Sequence, residues 1–153
     1  MQSINFDDGF KSFAINNDES RVIRFNPSDP NLIKRYNDSI KNMMAVKEKI
    51  GSDIKLSPEG DVREADDMQT ASAILTETDD IIRENINFMF NSDVYDTVFK
   101  GQSPFCTVNG DMLLFEAFLM AVEPIIRQSV EESAVASEKR MDKYLKQKRR
   151  KKR

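Results

Sequence analysis

The sequence predicts an α+β fold: a small N-terminal antiparallel β-meander packed on about four α-helices, with a disordered basic C-terminal tail. Three observations lead there. Residues 3–25 alternate short apolar runs with turn-forming clusters. From residue 28 to about 133, apolar residues recur at helical spacing, interrupted by segments rich in Ser, Asp, Pro and Gly. The chain then ends in KYLKQKRRKKR, where apolar periodicity gives way to charge. A length of 153 residues suits one hydrophobic core. A single globular domain is therefore expected over 3–133, followed by a basic, flexible tail over 134–153.

The β elements come first. INF, then DDG, then FKSFAI reads as two strands around a turn, because glycine adopts positive φ without penalty. NNDES is a second turn and RVIRF a third strand, in which the adjacent Val22 and Ile23 disturb strict alternation.

Four helices follow. The first opens at Ser28 or Asp29 as cap with Pro30 at its first position, carries the stripe Leu32, Ile33, Tyr36, Ile40, Met43, Met44 and Ile50, and closes at Gly51. SDIKLSPEGDVREADD is a loop. The second helix resumes near Glu64 and runs to about Phe90, with Met68, Ala71, Leu75, Ile81, Ile82, Ile86, Met89 and Phe90 as its stripe. A short third helix spans SDVYDTVFKG, with Ser92 as cap, Val94, Tyr95, Val98 and Phe99 inward, and Gly101 as stop. After the loop QSPFCTVNG, Asp111 is positioned to cap the last helix. Its apolar face is the widest in the chain: Leu114, Phe115, Phe118, Leu119, Val122, Ile125, Ile126 and Val130. Pro124 lies inside it, removes one backbone hydrogen bond and should kink it. Beyond Ser133 fraying is expected.

Composition excludes several function classes. The chain has no histidine, and with it go the commonest general base and the usual triads. The lone Cys106 has no such partner to activate it, and a small buried residue is the expected role. The pairs Asp7-Asp8, Asp66-Asp67 and Asp79-Asp80 lack the alternating oxygen spacing of a calcium loop, and solvated or capping roles outweigh a metal site. No glycine-rich phosphate loop is present. Neither enzymatic activity nor a metal or cofactor is therefore expected. No apolar run is long enough for a membrane span, MQSINFDDGF does not read as a signal peptide, and a cytoplasmic protein is expected.

Net charge is −3 but divided. From Glu138 to Arg153 there are ten basic and two acidic residues, a net +8, which leaves −11 on the remainder. The basic end, with Lys146, Lys148, Arg149, Arg150, Lys151, Lys152 and Arg153 at its core, has three readings: a phosphate-binding handle, a handle for an acidic surface that includes another copy's body, or a solvated end. No aromatic residues interleave the terminal block and the acidic body would repel a duplex, which weighs against nucleic acid. Six methionines (Met43, Met44, Met68, Met89, Met112 and Met120) fall in or beside apolar stripes. They are either pliable core filler or part of an adaptable binding face.

Taken in order, INFDDGFKSFAIN, RVIRFNPSDPNLIKRYN, VYDTVFKGQSPFCTVNGDMLLFEAFLMAVEPII and a Lys/Arg-rich end resemble the tail assembly chaperones of tailed phages and prophages of Gram-positive bacteria. RFNPSDP and the run from Phe99 into FEAFLMAVEPII are the most distinctive pieces. The resemblance implies a non-enzymatic role in the bacterial host cytoplasm: binding and solubilising the long, helical tape measure protein until tail tube subunits polymerise around it. It also implies a longer form made by programmed frameshifting, for which the lysine-rich end is a compatible site, and self-association into a coat. Candidate client contacts are Met112, Phe115, Phe118, Leu119, Val122 and Ile126, with a core role as the alternative for each. The competing function is a small nucleic-acid-associated regulator acting through the basic end.

Overall fold

Asn16 and Asn17 set the topology of the N-terminal region. Both adopt positive φ (51° and 61°), the backbone that a two-residue hairpin turn requires. They join strand β1 (Lys11–Ile15) to strand β2 (Asp18–Phe25) in an antiparallel pair, Phe13 opposite Ile23 and Lys11 opposite Phe25. The expected three-stranded meander is thus a two-stranded hairpin. The INF segment is not a strand: the Asp7 and Asp8 carboxylates accept the amides of Gly9 and Phe10 (2.9 and 3.1 Å), closing local turns before β1 begins. Val22 and Ile23 divide as the pleat demands. Ile23 and Phe25 enter the core and Val22 stays exposed on the outer face. Arg21, on the inner face, donates to the carbonyls of Thr97 and Val98.

This computed structural model describes residues 1–53 and 65–151. The helices are α1 (Pro30–Asp53), α2 (Ala65–Phe90), α3 (Tyr95–Phe99) and α4 (Leu114–Lys151), and a second hairpin, β3 (Thr107–Val108) with β4 (Met112–Leu113), precedes α4. The architecture is α+β. Most of the expected loop over 52–67 lies outside the described residues.

Of the two candidate caps for α1, Asp29 does the work. Its carboxylate accepts the Asn31 amide at 2.9 Å, while Ser28 bonds back to Asn26. The helix runs two residues past Gly51. α1 and α2 pack antiparallel: Arg35 donates to the Met89 carbonyl, and Ser39, fully buried, to that of Asn85. Leu32, Met43 and Val46 of α1 meet Ile82, Ile86 and Met89 of α2 in the core. The first half of α2 behaves differently from its expected stripe, for Met68 and Leu75 are exposed and burial starts at Thr78.

The start of α3 also differs. Ser92 does not cap it; the Asn87 side-chain oxygen, reaching from α2, accepts the amides of both Val94 and Tyr95 at 2.9 Å. Lys100 then takes the left-handed conformation that ends the helix, followed by Gly101 at φ 79°. Val94, Tyr95, Val98 and Phe99 are buried as expected.

Asp111 does not cap α4. It lies exposed beside the Asn109-Gly110 turn of the second hairpin, and the first amides of α4 go elsewhere: Leu114 to the Cys106 carbonyl (2.8 Å) and Phe115 to that of Pro104 (3.0 Å). Cys106 is half-buried and free. Helix α4 then continues for 38 residues, past Pro124 and past Ser133. Residues 134–151, expected as a disordered tail, are helical with every side chain exposed. Clustered Lys148, Arg149, Arg150 and Lys151 at the helix C-terminus favour this by complementing its negative dipole end.

Candidate functional site

Helix α4 carries two adjacent apolar stripes. Phe115, Leu119, Val122 and Ile126, spaced four, three and four apart, are buried in the core. Leu114, Phe118, Ala121 and Ile125 have the same spacing one residue earlier, which turns them about 100° around the helix. The core consumes that second stripe only in part: Leu114, Phe118 and Ile125 are half-buried against it and Ala121 is exposed. Together with Ala117 the stripe forms one wall of an apolar groove of about 260 Å³. The opposite wall is the hairpin, through Phe13, Ala14, Ile15, Ile23 and Phe25, and the end of α3 closes it with Val98 and Phe99. Among the groove residues only Asn16 carries a polar side chain.

Phe118 links the groove to the core. Its ring lies 5.9 Å from Phe90 and 6.0 Å from Phe99, and through Phe90 it joins a series of aromatic contacts that runs on to Phe25 and Phe13. Such aromatic pairs are each worth about 0.5–1.5 kcal/mol beyond their area burial. Ala117 and Ala121, one turn apart, leave the groove open where larger side chains would fill it. β1 meets the groove along its edge as well as its inner face: Phe13, Ala14 and Ile15, followed by Asn16 of the turn, line it consecutively, although alternate residues of a strand point to opposite faces. Among the described residues that edge has no strand partner, and β1 and β2 are the strands of its sheet.

The structure divides the six candidate contacts. Phe118 and Val122 line the groove. Phe115, Leu119 and Ile126 are buried in the core away from it, and Met112 is half-buried in β4. Leu114, Ala117, Ala121 and Ile125, together with the hairpin residues, complete the site; Leu114 and Ile125 belong to the expected apolar face but not to the candidate contacts. The width of the apolar face on α4 was the available signal, since a single core-facing stripe needs fewer positions. The methionines divide as well. Met43 and Met89 are core, Met44 and Met112 half-buried, and Met68 and Met120 exposed.

Titratable groups play structural parts. The Tyr95 hydroxyl donates to Asp79, and burial first, then this bond, push the phenol well above its ordinary value. Burial also raises Tyr36, whose hydroxyl donates to the Leu119 carbonyl. At the hairpin turn, the Ser20 hydroxyl and amide hold the Asp18 carboxyl below its usual range. Arg83 pairs with Asp96 at 3.0 Å and stacks 4.2 Å over the Tyr95 ring. Among the described residues no three His, Cys, Asp or Glu side chains converge as a metal site, and no helix is long and apolar enough to cross a membrane. Lys146, Lys148, Arg149, Arg150 and Lys151 project from the last turns of α4 into solvent; Lys152 and Arg153 lie outside the described residues.

Comparison of the chain with protein-family models, with curated proteins and with solved structures finds no match.

Proposed function

We propose that this protein is a non-enzymatic holding chaperone of the tail assembly type, whose apolar groove shelters helical segments of a tape measure protein in the cytoplasm of a bacterial host before tail tube subunits replace it. One observation carries the reading: α4 keeps a second apolar stripe that the core covers only in part, facing the hairpin across an unfilled groove. At about 260 Å³ the groove falls just below the range of small-molecule pockets. It suits a few apolar side chains of a longer segment, held as an amphipathic helix is held in a hydrophobic groove. Ala117 and Ala121 admit side chains of different shapes, and a nearly all-apolar lining imposes no hydrogen-bond pattern, so one site serves many client segments. The acidic excess of residues 1–137 keeps loaded complexes apart by repulsion.

The test is co-expression with a long, predominantly helical client encoded beside this chain. The wild type should move the client into the soluble fraction and Ala121→Asp should not. A client equally insoluble with both, or equally soluble with both, rejects the assignment.

One observation favours a second reading. Residues 139–151 form an exposed helix that carries basic side chains around its circumference, a form able to contact phosphates. That role predicts salt-dependent binding of DNA or RNA, abolished by deleting residues 139–153. Absence of binding at low salt eliminates it.

A further inference from the structure

The ten residues before β1 form an arm whose outer apolar side chains, Ile4 and Phe6, are left uncovered among the described residues, while Phe10 at its root is half-covered. Ile4 is 89% exposed, Phe6 77% and Phe10 51%. In an extended chain Ile4 and Phe6 share one face, with Ser3, Asn5 and Asp7 on the other. This is the pattern of a strand with one buried face, in a segment that pairs with no strand among the described residues. The same molecule displays the complementary feature: a free β1 edge bordering an apolar groove, which none of residues 1–10 lines.

The arm does not fold back onto its own β1 edge, and its root shows why. Asn26 donates to the Asp8 carbonyl at 3.4 Å and packs against Gly9, where a built Cβ would lie 2.6 Å from the Asn26 amide nitrogen. Gly9 sits at φ 77°, and the Asp7 and Asp8 carboxylates bind the next amides, so several contacts fix the bend that carries the arm outward.

We infer that the arm of one copy enters the groove of a second copy, adding to the β1 edge as a third strand and placing Ile4 and Phe6 against Phe118, Ala121 and Ile125. Backbone hydrogen bonds to the edge supply affinity, and the alternate apolar side chains supply register. Arm and groove are different surfaces, so one-way exchange grows a ring or filament and reciprocal exchange closes a dimer. The inference rests on the groove named above as the holding site but not on the client. It makes the arm that groove's resting occupant, which a client segment must displace.

Sedimentation of the full chain over a concentration series tests it. Wild type should assemble into two or more copies. Ile4→Asp/Phe6→Asp, at exposed positions, and Ala121→Trp, which fills the groove from an exposed position, should each remain monomeric. An equimolar mixture of the two should form a 1:1 complex and nothing larger, because one supplies the only working groove and the other the only working arm. A wild type monomeric throughout, an arm variant that assembles like wild type, or a mixture that stays monomeric overturns the inference. Client holding separates the two claims. The arm variant should hold client at least as well as wild type, having lost the competitor. A monomeric wild type that holds client overturns the arm-to-groove contact alone; Ala121→Trp that blocks assembly yet still holds client overturns the holding role alone.

Discussion

Two residues two positions apart on α4 separate stability from binding. Leu119 is 4% exposed in the core, whereas Ala121 is exposed on the groove wall. Leu119→Ala removes buried carbons and leaves a cavity, costing about 2–5 kcal/mol of stability. For a chain of this length that is roughly 2–4 °C in Tm per kcal/mol, a fall of about 4–20 °C. Ala121→Asp deletes no buried contact and should stay within about 1 kcal/mol of wild type, most of it the lower helix propensity of Asp. A client segment in the groove would, however, have to desolvate the new carboxylate, at a cost above about 1 kcal/mol, which burying even a neutral polar group carries. Each 1.4 kcal/mol is tenfold in Kd, so the expected loss is at least about 5-fold. Thermal unfolding followed by circular dichroism gives the first number. Fluorescence anisotropy of a labelled amphipathic helical peptide, well below either Tm, gives the second. If Ala121→Asp binds the peptide as tightly as wild type, the groove is not the docking site. If it unfolds like Leu119→Ala, the division of α4 into two stripes is mistaken.

Asn87→Ala orphans the amides of Val94 and Tyr95 and should lower Tm by about 4–8 °C, from a loss of about 2 kcal/mol, whereas Asn87→Asp keeps the acceptor and should lose less. The phenol of Tyr95 is raised in the folded state, so its contribution is complete below the unfolded value near 10 and declines as pH climbs above it. Tyr95→Phe should therefore flatten the fall of Tm between pH 10 and 11.5, and equal slopes for the two proteins would contradict this. Residues 134–151 bury no side chain, and isolated helices are marginal in water, so their amides should exchange with deuterium far faster than those of 115–126. Comparable protection in both segments would show that something covers the end of α4.

Much of this fold was legible where local chemistry decides it. Pro30 after Asp29, the stripes of α1 and of the second half of α2, and the inward face of α3 follow from spacing and capping. What was missed depended on choices between equivalent local signals. Both Asp8-Gly9 and Asn16-Asn17 resemble hairpin turns, and only the second closes one, because Asn26 and two Asx bonds claim the first. Ser92 and Asp111 are good caps that lost their helices to a remote side chain, Asn87, and to loop carbonyls at Pro104 and Cys106. The groove was half legible. Phe118 and Val122 stood out as large apolar residues, whereas Ala117 and Ala121 carry no signal until the hairpin is seen opposite them.

The holding role stands most directly on where a client segment binds. Methyl-labelled protein titrated with an amphipathic helical peptide from the client, in the arm variant so that the groove is vacant, reads this by NMR. The account predicts shifts concentrated at Ala117, Ala121, Ile125 and Ile15. Shifts confined to the basic end of α4, or none at saturating peptide, would contradict it.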